Sequence, residues 1–82
     1  MRDEIAEHNP DAIIYEPKAL DQAIIGMSHC SKVVYSYSKL VEVFMEMNDW
    51  DDETAVDWVQ YNITGGYLGE YTPIIVYDLL YD

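Results

Sequence analysis

The stretch VVYSYSKLVEVFMEM, Val33 to Met47, changes its hydrophobic period part of the way along. Its first residues alternate, so Val33, Tyr35 and Tyr37 share one face of an extended strand. Ser38 is a reasonable helix N-cap. Beyond it, apolar residues recur at helical spacing at Leu40, Val41, Phe44 and Met45. A strand that leads directly into an amphipathic helix indicates a fold that mixes both kinds of element.

The residues before this stretch predict its partner strand. Ala23 to Met27 is rich in β-branched residues, and SHCSK, residues 28–32, supplies small polar turn residues. A hairpin with arms at 23–27 and 33–37 is therefore expected. Gly26, inside the first arm, indicates either a β-bulge or a close approach of another backbone.

Two earlier segments complete the N-terminal half of the chain. AIIYE, Ala12 to Glu16, is a short apolar run that Pro17 closes, which predicts a brief edge strand. Residues 1–11 are polar, and we expect them to be frayed or to form one short helical turn before Pro10.

The sequence beyond Met47 predicts a second helix and a last strand. Asn48 and Asp49 break the first helix, and Asp51 caps the next one. The apolar stripe of this second helix consists of Ala55, Val56, Trp58, Val59 and Ile63. Gly65 and Gly66 stop the helix. Residues 74–76 form a continuous apolar run, typical of a strand that is central or covered on both faces.

These elements follow the order β-β-β-α-α-β within one domain, residues 1–82. We predict an α+β fold, with a small antiparallel sheet of three to four strands and two helices packed on one face. A chain of this size buries only about 60–65% of its unfolded surface. A homodimer that covers further aromatic surface is therefore a second expectation.

The charge of the chain restricts its partners. Sixteen acidic residues face four basic ones, for a net charge of −12. Direct binding to nucleic acid or to an anionic membrane is not expected, since both need clustered Lys and Arg. Basic protein surfaces, cations and proteins that normally bind DNA are the expected partners. Solubility alone is the simpler explanation of the charge.

Cysteine usage and hydropathy predict the compartment. Cys30 is the only cysteine, so no internal disulfide forms, which fits a reducing cytosol. The first eleven residues lack the apolar segment of a signal peptide. No run approaches the ~20 apolar residues of a membrane helix. We therefore expect the protein in the cytoplasm of its host cell.

No catalytic, metal or cofactor site is predicted. DWDDE, residues 49–53, lacks the central glycine of an EF-hand calcium loop. GGYLGE, residues 65–70, lacks the Lys and Ser/Thr of a phosphate loop. His29 and Cys30 are adjacent, but no base and orienting residue for a thiol nucleophile can be identified. The sequence thus favours a protein that is not an enzyme.

The candidate binding surface lies in MNDWDDETAVDW, residues 47–58, which holds five carboxylates and two tryptophans. Asp51, Asp52 and Glu53 also favour the helix start, where the macrodipole attracts acids. Tyrosines in the glycine loop that follows suit recognition, because each combines an apolar ring with a polar tip. The predicted partner-binding residues are Asp49, Trp50, Asp51, Asp52, Glu53, Asp57, Tyr67, Glu70 and Tyr71.

Three motifs carry a resemblance to a family. LDQAIIG at 20–26, VVYS at 33–36 and YNITGGYLGEYTPI at 61–74 resemble the pattern LDxAIIG, VVYS and YN…GGYxGExTPI of short, largely uncharacterised phage and bacterial proteins. The resemblance covers about residues 19–78, and its last motif is the specific one. It implies a viral context and brings no known active site.

Small acidic phage proteins resemble counter-defence factors, and this chain is similar in size and character to phage inhibitors of the BREX defence system. The resemblance implies a non-enzymatic protein that binds and inhibits a host restriction or BREX-type protein, with a defence-system ATPase as a candidate partner. Two alternatives stay open. One is a DNA mimic that inhibits a DNA-binding protein, and the other is a small structural or accessory protein that binds another viral protein.

Overall fold

The computed structural model describes residues 1–64 and 66–77, in which short strands alternate with helices. The predicted α+β class is confirmed. The elements are α1 (Arg2–His8), a 3₁₀ helix (Lys18–Ala23), β1 (Ile24–Met27), β2 (Val33–Ser36), α2 (Tyr37–Asn48), α3 (Asp52–Val59), a π-helical turn (Gln60–Thr64) and β3 (Ile74–Val76). Gly65, one of the two glycines predicted to stop the second helix, lies outside the described residues. So does the apolar C-terminal LLYD, residues 79–82, for which the sequence allows either an extension of the last strand or docking on a partner.

The predicted hairpin is confirmed. β1 pairs antiparallel with β2, with Ile24 opposite Tyr35 and Met27 opposite Val33. The register shifts between Ile24 and Gly26, which is the bulge that the glycine indicated. The hairpin places Val33 and Tyr35 in the core, where both are fully buried.

The last strand corrects the prediction of an antiparallel sheet. β3 pairs parallel with β2, with Val34 opposite Ile74 and Ser36 opposite Val76, so the sheet is mixed. The chain leaves β2 directly into α2 and returns only after α3 and a loop, and such a crossover joins parallel strands. The order β1-β2-β3 also makes β2 the central strand. The predicted central or doubly covered position of β3 is wrong, since its residues are only partly buried beside one neighbour.

Both helix starts are set by side-chain caps. Ser36, one residue before α2, accepts a hydrogen bond from the Lys39 N–H at 3.2 Å. The predicted cap Ser38 is wrong, because the helix has already begun at Tyr37; its hydroxyl lies 3.2 Å from that of Ser36. Asp51 caps α3 as predicted and accepts from the Thr54 N–H at 2.9 Å.

The N-terminal residues take the second of their two expected states and form α1. Arg2 anchors them through a two-point ion pair with Asp21, with Nε–Oδ2 at 2.7 Å and Nη2–Oδ1 at 3.0 Å. Ile5 is buried in the core. The side-chain amide of Asn9 donates to the Ser31 carbonyl at 3.1 Å, which ties the end of α1 to the hairpin turn.

Residues 12–16 form no strand, contrary to the prediction. The Tyr15 N–H donates to the Tyr35 hydroxyl at 2.9 Å, so a side chain takes the donor that a ladder would use. The two tyrosine rings lie 5.0 Å apart, and this segment thereby covers the buried Tyr35. The apolar residues of this irregular segment therefore pack against the core instead of forming a strand.

One core joins the hairpin, the 3₁₀ helix and the helices. Its apolar residues are Ile5, Leu20, Ala23, Val33, Tyr35, Leu40, Val41, Val43, Phe44, Ala55, Val59 and Ile63. Among the described helices, none has both the length and the apolar character that crossing a membrane requires.

Candidate partner-binding surface

Three aromatic rings meet where α2 turns into α3. The centroids of Trp50 and Trp58 lie 5.6 Å apart with tilted rings, and Phe44 lies 6.4 Å from Trp50 and 6.3 Å from Trp58. Phe44 is 7% exposed and belongs to the core, whereas Trp58 is 43% exposed. The rings therefore form a continuous path from the core to the surface. These rings and the neighbouring acids are here called the tryptophan surface; the acids are Asp49, Asp51, Asp52, Glu53 and Asp57.

The turn that holds Trp50 is built from local backbone chemistry. Asp49 takes the left-handed conformation, with φ of 54°, and ends α2. The Trp50 N–H then donates to the Met45 carbonyl at 3.1 Å. The next residue, Asp51, caps α3, so the backbone is fixed on both sides of Trp50. The partly buried Trp50 ring packs against Phe44.

The acids of the tryptophan surface are exposed, and none of them makes an ion pair with another described residue. Ion pairs in the described part of the chain involve only the N-terminal amine, Glu4, Arg2, Glu16 and Asp21. Hydrogen bonds from Thr54 lower the pKa of Asp51 below its ordinary value, so this carboxylate stays charged at lower pH than an ordinary aspartate. The surface therefore presents negative charge that no described cation of the chain offsets.

The charge is also segregated along the sequence, a signal that the sequence analysis missed. Lys39 is the last basic residue, and ten of the sixteen acids follow it. The half of the chain that contains both tryptophans thus has no Lys or Arg. The signal is visible in the sequence itself once the bases are located as well as counted.

The predicted tyrosine loop stands apart from the tryptophan surface. Tyr67 is 81% exposed and Tyr71 is partly buried, and Glu70 is exposed. The loop is held by Thr72, whose hydroxyl accepts from the Leu68 N–H and donates to the Gly69 carbonyl, both at 2.7 Å. No hydrogen bond or ring contact joins the three predicted residues to the tryptophans within residues 1–64 and 66–77.

Sequence reasoning assigned Trp58 to the core face and therefore omitted it from the surface. Ala55 and Val59 are fully buried, while Trp58 lies at the margin of that stripe. Tyr61, one turn further on, is 89% exposed. The apolar spacing located the helix correctly, but it does not distinguish the centre of the buried stripe from its edge.

A second aromatic contact lies at the other end of the helix pair. The rings of Tyr37 and Tyr77 are 4.8 Å apart. The Gln60 side-chain amide donates to the Tyr37 hydroxyl at 3.2 Å, which joins the start of α2 to the residue after α3. The two helices therefore run antiparallel, and this bond braces the pair.

The hairpin turn holds a contact between a thiol and an imidazole. Cys30 Sγ lies 3.5 Å from His29 Nε2, and both side chains are exposed. No group of three or more His, Cys, Asp or Glu side chains is placed to hold a metal among the described residues. No family model, curated protein or solved structure matches the chain.

Proposed function

We propose that this protein is a phage counter-defence factor that binds and inhibits a host anti-phage defence protein without catalysing a reaction. One observation carries the binding part of the proposal. Trp58 stands 43% exposed on Trp50 and Phe44, beside carboxylates that have no ion-pair partner in the described chain. The viral and counter-defence part is supported by the sequence resemblance alone.

The two components of the tryptophan surface have separate roles in this proposal. Unpaired carboxylates attract a basic partner and orient it during encounter, which mainly raises the association rate. The indole of Trp58 gives the contact that slows dissociation, since tryptophan is among the residues that most often dominate binding energy. Phe44 supports the indoles from the core, so the anchor is held before the partner arrives.

The proposed partner is a basic surface of a restriction or BREX-type protein in the host cytoplasm, such as a defence-system ATPase. An acidic surface of this kind suits a partner whose own ligand is anionic, since the basic residues that bind that ligand also attract the carboxylates of this chain. The proposed surface keeps the predicted residues around Trp50 and adds Trp58. It leaves out Tyr67, Glu70 and Tyr71, which lie in a separate loop.

A plating experiment tests the proposal. Phage that lacks this gene is plated on a defence-proficient host and on the isogenic defence-deficient host, each expressing the wild-type chain or a variant. The wild type should restore plating on the first host only. Trp58→Ala should lose most of that effect, while Ile25→Ala, which trims an exposed hydrophobic side chain on β1, should keep it. Equal activity of both variants at equal cellular level would contradict the proposed surface.

DNA mimicry is a second candidate, and the segregated charge favours it. Ten acids and no base after Lys39 are what a surface that imitates phosphates requires. In this case the chain should displace duplex DNA from the defence protein competitively, and binding should weaken steeply with salt. Inhibition that leaves DNA binding intact would exclude it. The accessory-protein alternative instead predicts a growth defect of the deletion phage on the defence-deficient host.

A further inference from the structure

An open groove runs between α2 and α3 on a different side of the helix pair from the tryptophans. Its volume is about 320 Å³. Its lining combines apolar side chains with one carboxylate from each helix. The lining residues are Tyr37, Ser38, Val41, Glu42, Met45, Asp52 and Val56.

The groove and the tryptophan surface share Asp52 but otherwise consist of different residues. Val56 and Trp58 are two residues apart on α3, which places them on nearly opposite sides of the helix, about 160° apart around its axis. On α2, Met45 lines the groove, whereas its neighbour Phe44 contacts the tryptophans. A partner segment can therefore occupy the groove, including the shared Asp52, without covering Trp58.

Charge at the groove is negative on both sides. Glu42 and Asp52 are exposed, and neither makes an ion pair in the described chain. The base nearest in sequence, Lys39, lines a neighbouring hollow on the far side of Glu42 with Gln22 and Glu46, and it does not reach the groove lining. An occupant with cations on both flanks of an apolar stripe would complement this surface.

The walls indicate which secondary structure the occupant has. Both walls are helices and neither is the edge of a sheet, so the groove offers no ladder to an added strand. A helix satisfies its own backbone and presents apolar side chains on one stripe. From Ser38 to Met45 the α2 wall is about 11 Å long, enough for two turns of a docked helix.

We propose that this groove binds a basic amphipathic helix of the partner, with apolar residues on Val41, Met45 and Val56 and with Lys or Arg against Glu42 and Asp52. The inference rests on the proposed function, since it names the kind of segment that the inhibited protein offers. It is a second contact, separate from Trp58.

The test uses a labelled ~18-residue peptide of Leu and Lys at helical spacing, with a scrambled peptide of the same composition and a Leu/Glu peptide as comparisons. Fluorescence anisotropy should show saturable binding of the first peptide only. Glu42→Lys with Asp52→Lys should weaken this binding by about tenfold or more, because two attractive contacts become repulsive. Amide NMR shifts of the wild type should map to α2 and α3 around Met45 and Val56.

The matched control carries Glu7→Lys and Asp11→Lys, two exposed acids outside the groove that change the net charge equally. Circular dichroism checks that both double variants are folded. Equal weakening by the two pairs, equal binding of the scrambled peptide, or shifts confined to Trp50 and Trp58 would each overturn the groove. The plating experiment with Trp58→Ala does not depend on peptide binding. A negative peptide result therefore leaves the proposed function intact, and a negative plating result leaves the groove intact.

Discussion

The Tyr35 hydroxyl, buried beneath the irregular N-terminal segment, accepts a hydrogen bond from the Tyr15 backbone N–H at 2.9 Å while the two rings lie 5.0 Å apart. This pair joins a segment that belongs to no helix or strand to the central strand of the sheet. The phenol thus replaces the ladder partner that residues 12–16 lack.

Tyr35→Phe should lower the free energy of unfolding by about 1–3 kcal/mol, because the Tyr15 N–H loses its acceptor while remaining partly buried. Urea unfolding followed by circular dichroism measures the change. Tyr61→Phe removes a hydroxyl from a side chain that is 89% exposed and should leave stability unchanged. Equal effects of the two substitutions would contradict the assigned hydrogen bond.

The same phenol makes stability depend on alkaline pH. Burial raises the pKa of Tyr35 to about 12, above the unfolded value of about 10. The fold therefore favours the protonated hydroxyl, and this contribution is complete below about pH 10 and is lost as the pH rises towards about 12. Urea midpoints between these values should fall for the wild type and fall less for Tyr35→Phe; a residual slope is expected from Tyr15, whose pKa burial also raises.

The capping residue Asp51 makes stability depend on pH in the opposite direction, because its contribution is lost as the pH falls. Hydrogen bonds from Thr54 lower its folded pKa, so its contribution is present above the ordinary carboxyl value and is lost as the pH falls through the folded one. Asp51→Asn should therefore lose part of the decline in stability below about pH 4. Asp57→Asn, at an exposed position that caps no helix, is the control, and thermal melts from pH 2 to 6 supply the comparison.

Substitution of two serines tests where α2 begins. Ser36→Ala should cost about 0.5–2 kcal/mol, because the Lys39 N–H loses its cap. Ser38→Ala changes the second residue of the helix and should lower the free energy of unfolding clearly less. Unfolding by urea measures both variants, and a larger loss for Ser38→Ala would restore the cap that the sequence alone suggested.

Phe44→Leu should loosen the tryptophan surface from below. The change keeps an apolar side chain of similar bulk, so stability should fall by only about 1 kcal/mol. The indoles of Trp50 and Trp58 lose their shared ring contact. Their fluorescence should shift to the red and become easier to quench with acrylamide, whereas Met47→Leu on the exposed side of α2 should leave the spectrum unchanged.

Local signals in the sequence were sufficient for much of the fold. Alternation in Val33 to Tyr35 and the polar turn before it predicted the hairpin, and Gly26 predicted its bulge. Asp51 was recognised as a cap because its side chain acts on its own next turn. Each of these features depends on residues only a few positions apart, which is why one sequence reveals them.

Features set by distant contacts were missed. The direction of β3 follows from the path of α2 and α3, and nothing in its three apolar residues encodes it. Residues 12–16 have strand-like composition, but the Tyr35 hydroxyl captures the Tyr15 N–H. At the surface, the acids were predicted correctly as exposed, whereas the exposure of Trp58 depends on how α3 is rotated against the core.

The parallel pairing of β2 with β3 has a consequence for the order in which the chain acquires its structure. Val34 meets Ile74 across 40 positions, whereas Ile24 meets Tyr35 across 11. Closing the longer loop costs about 1 kcal/mol more in chain entropy. The hairpin and the paired helices should therefore assemble before the third strand docks.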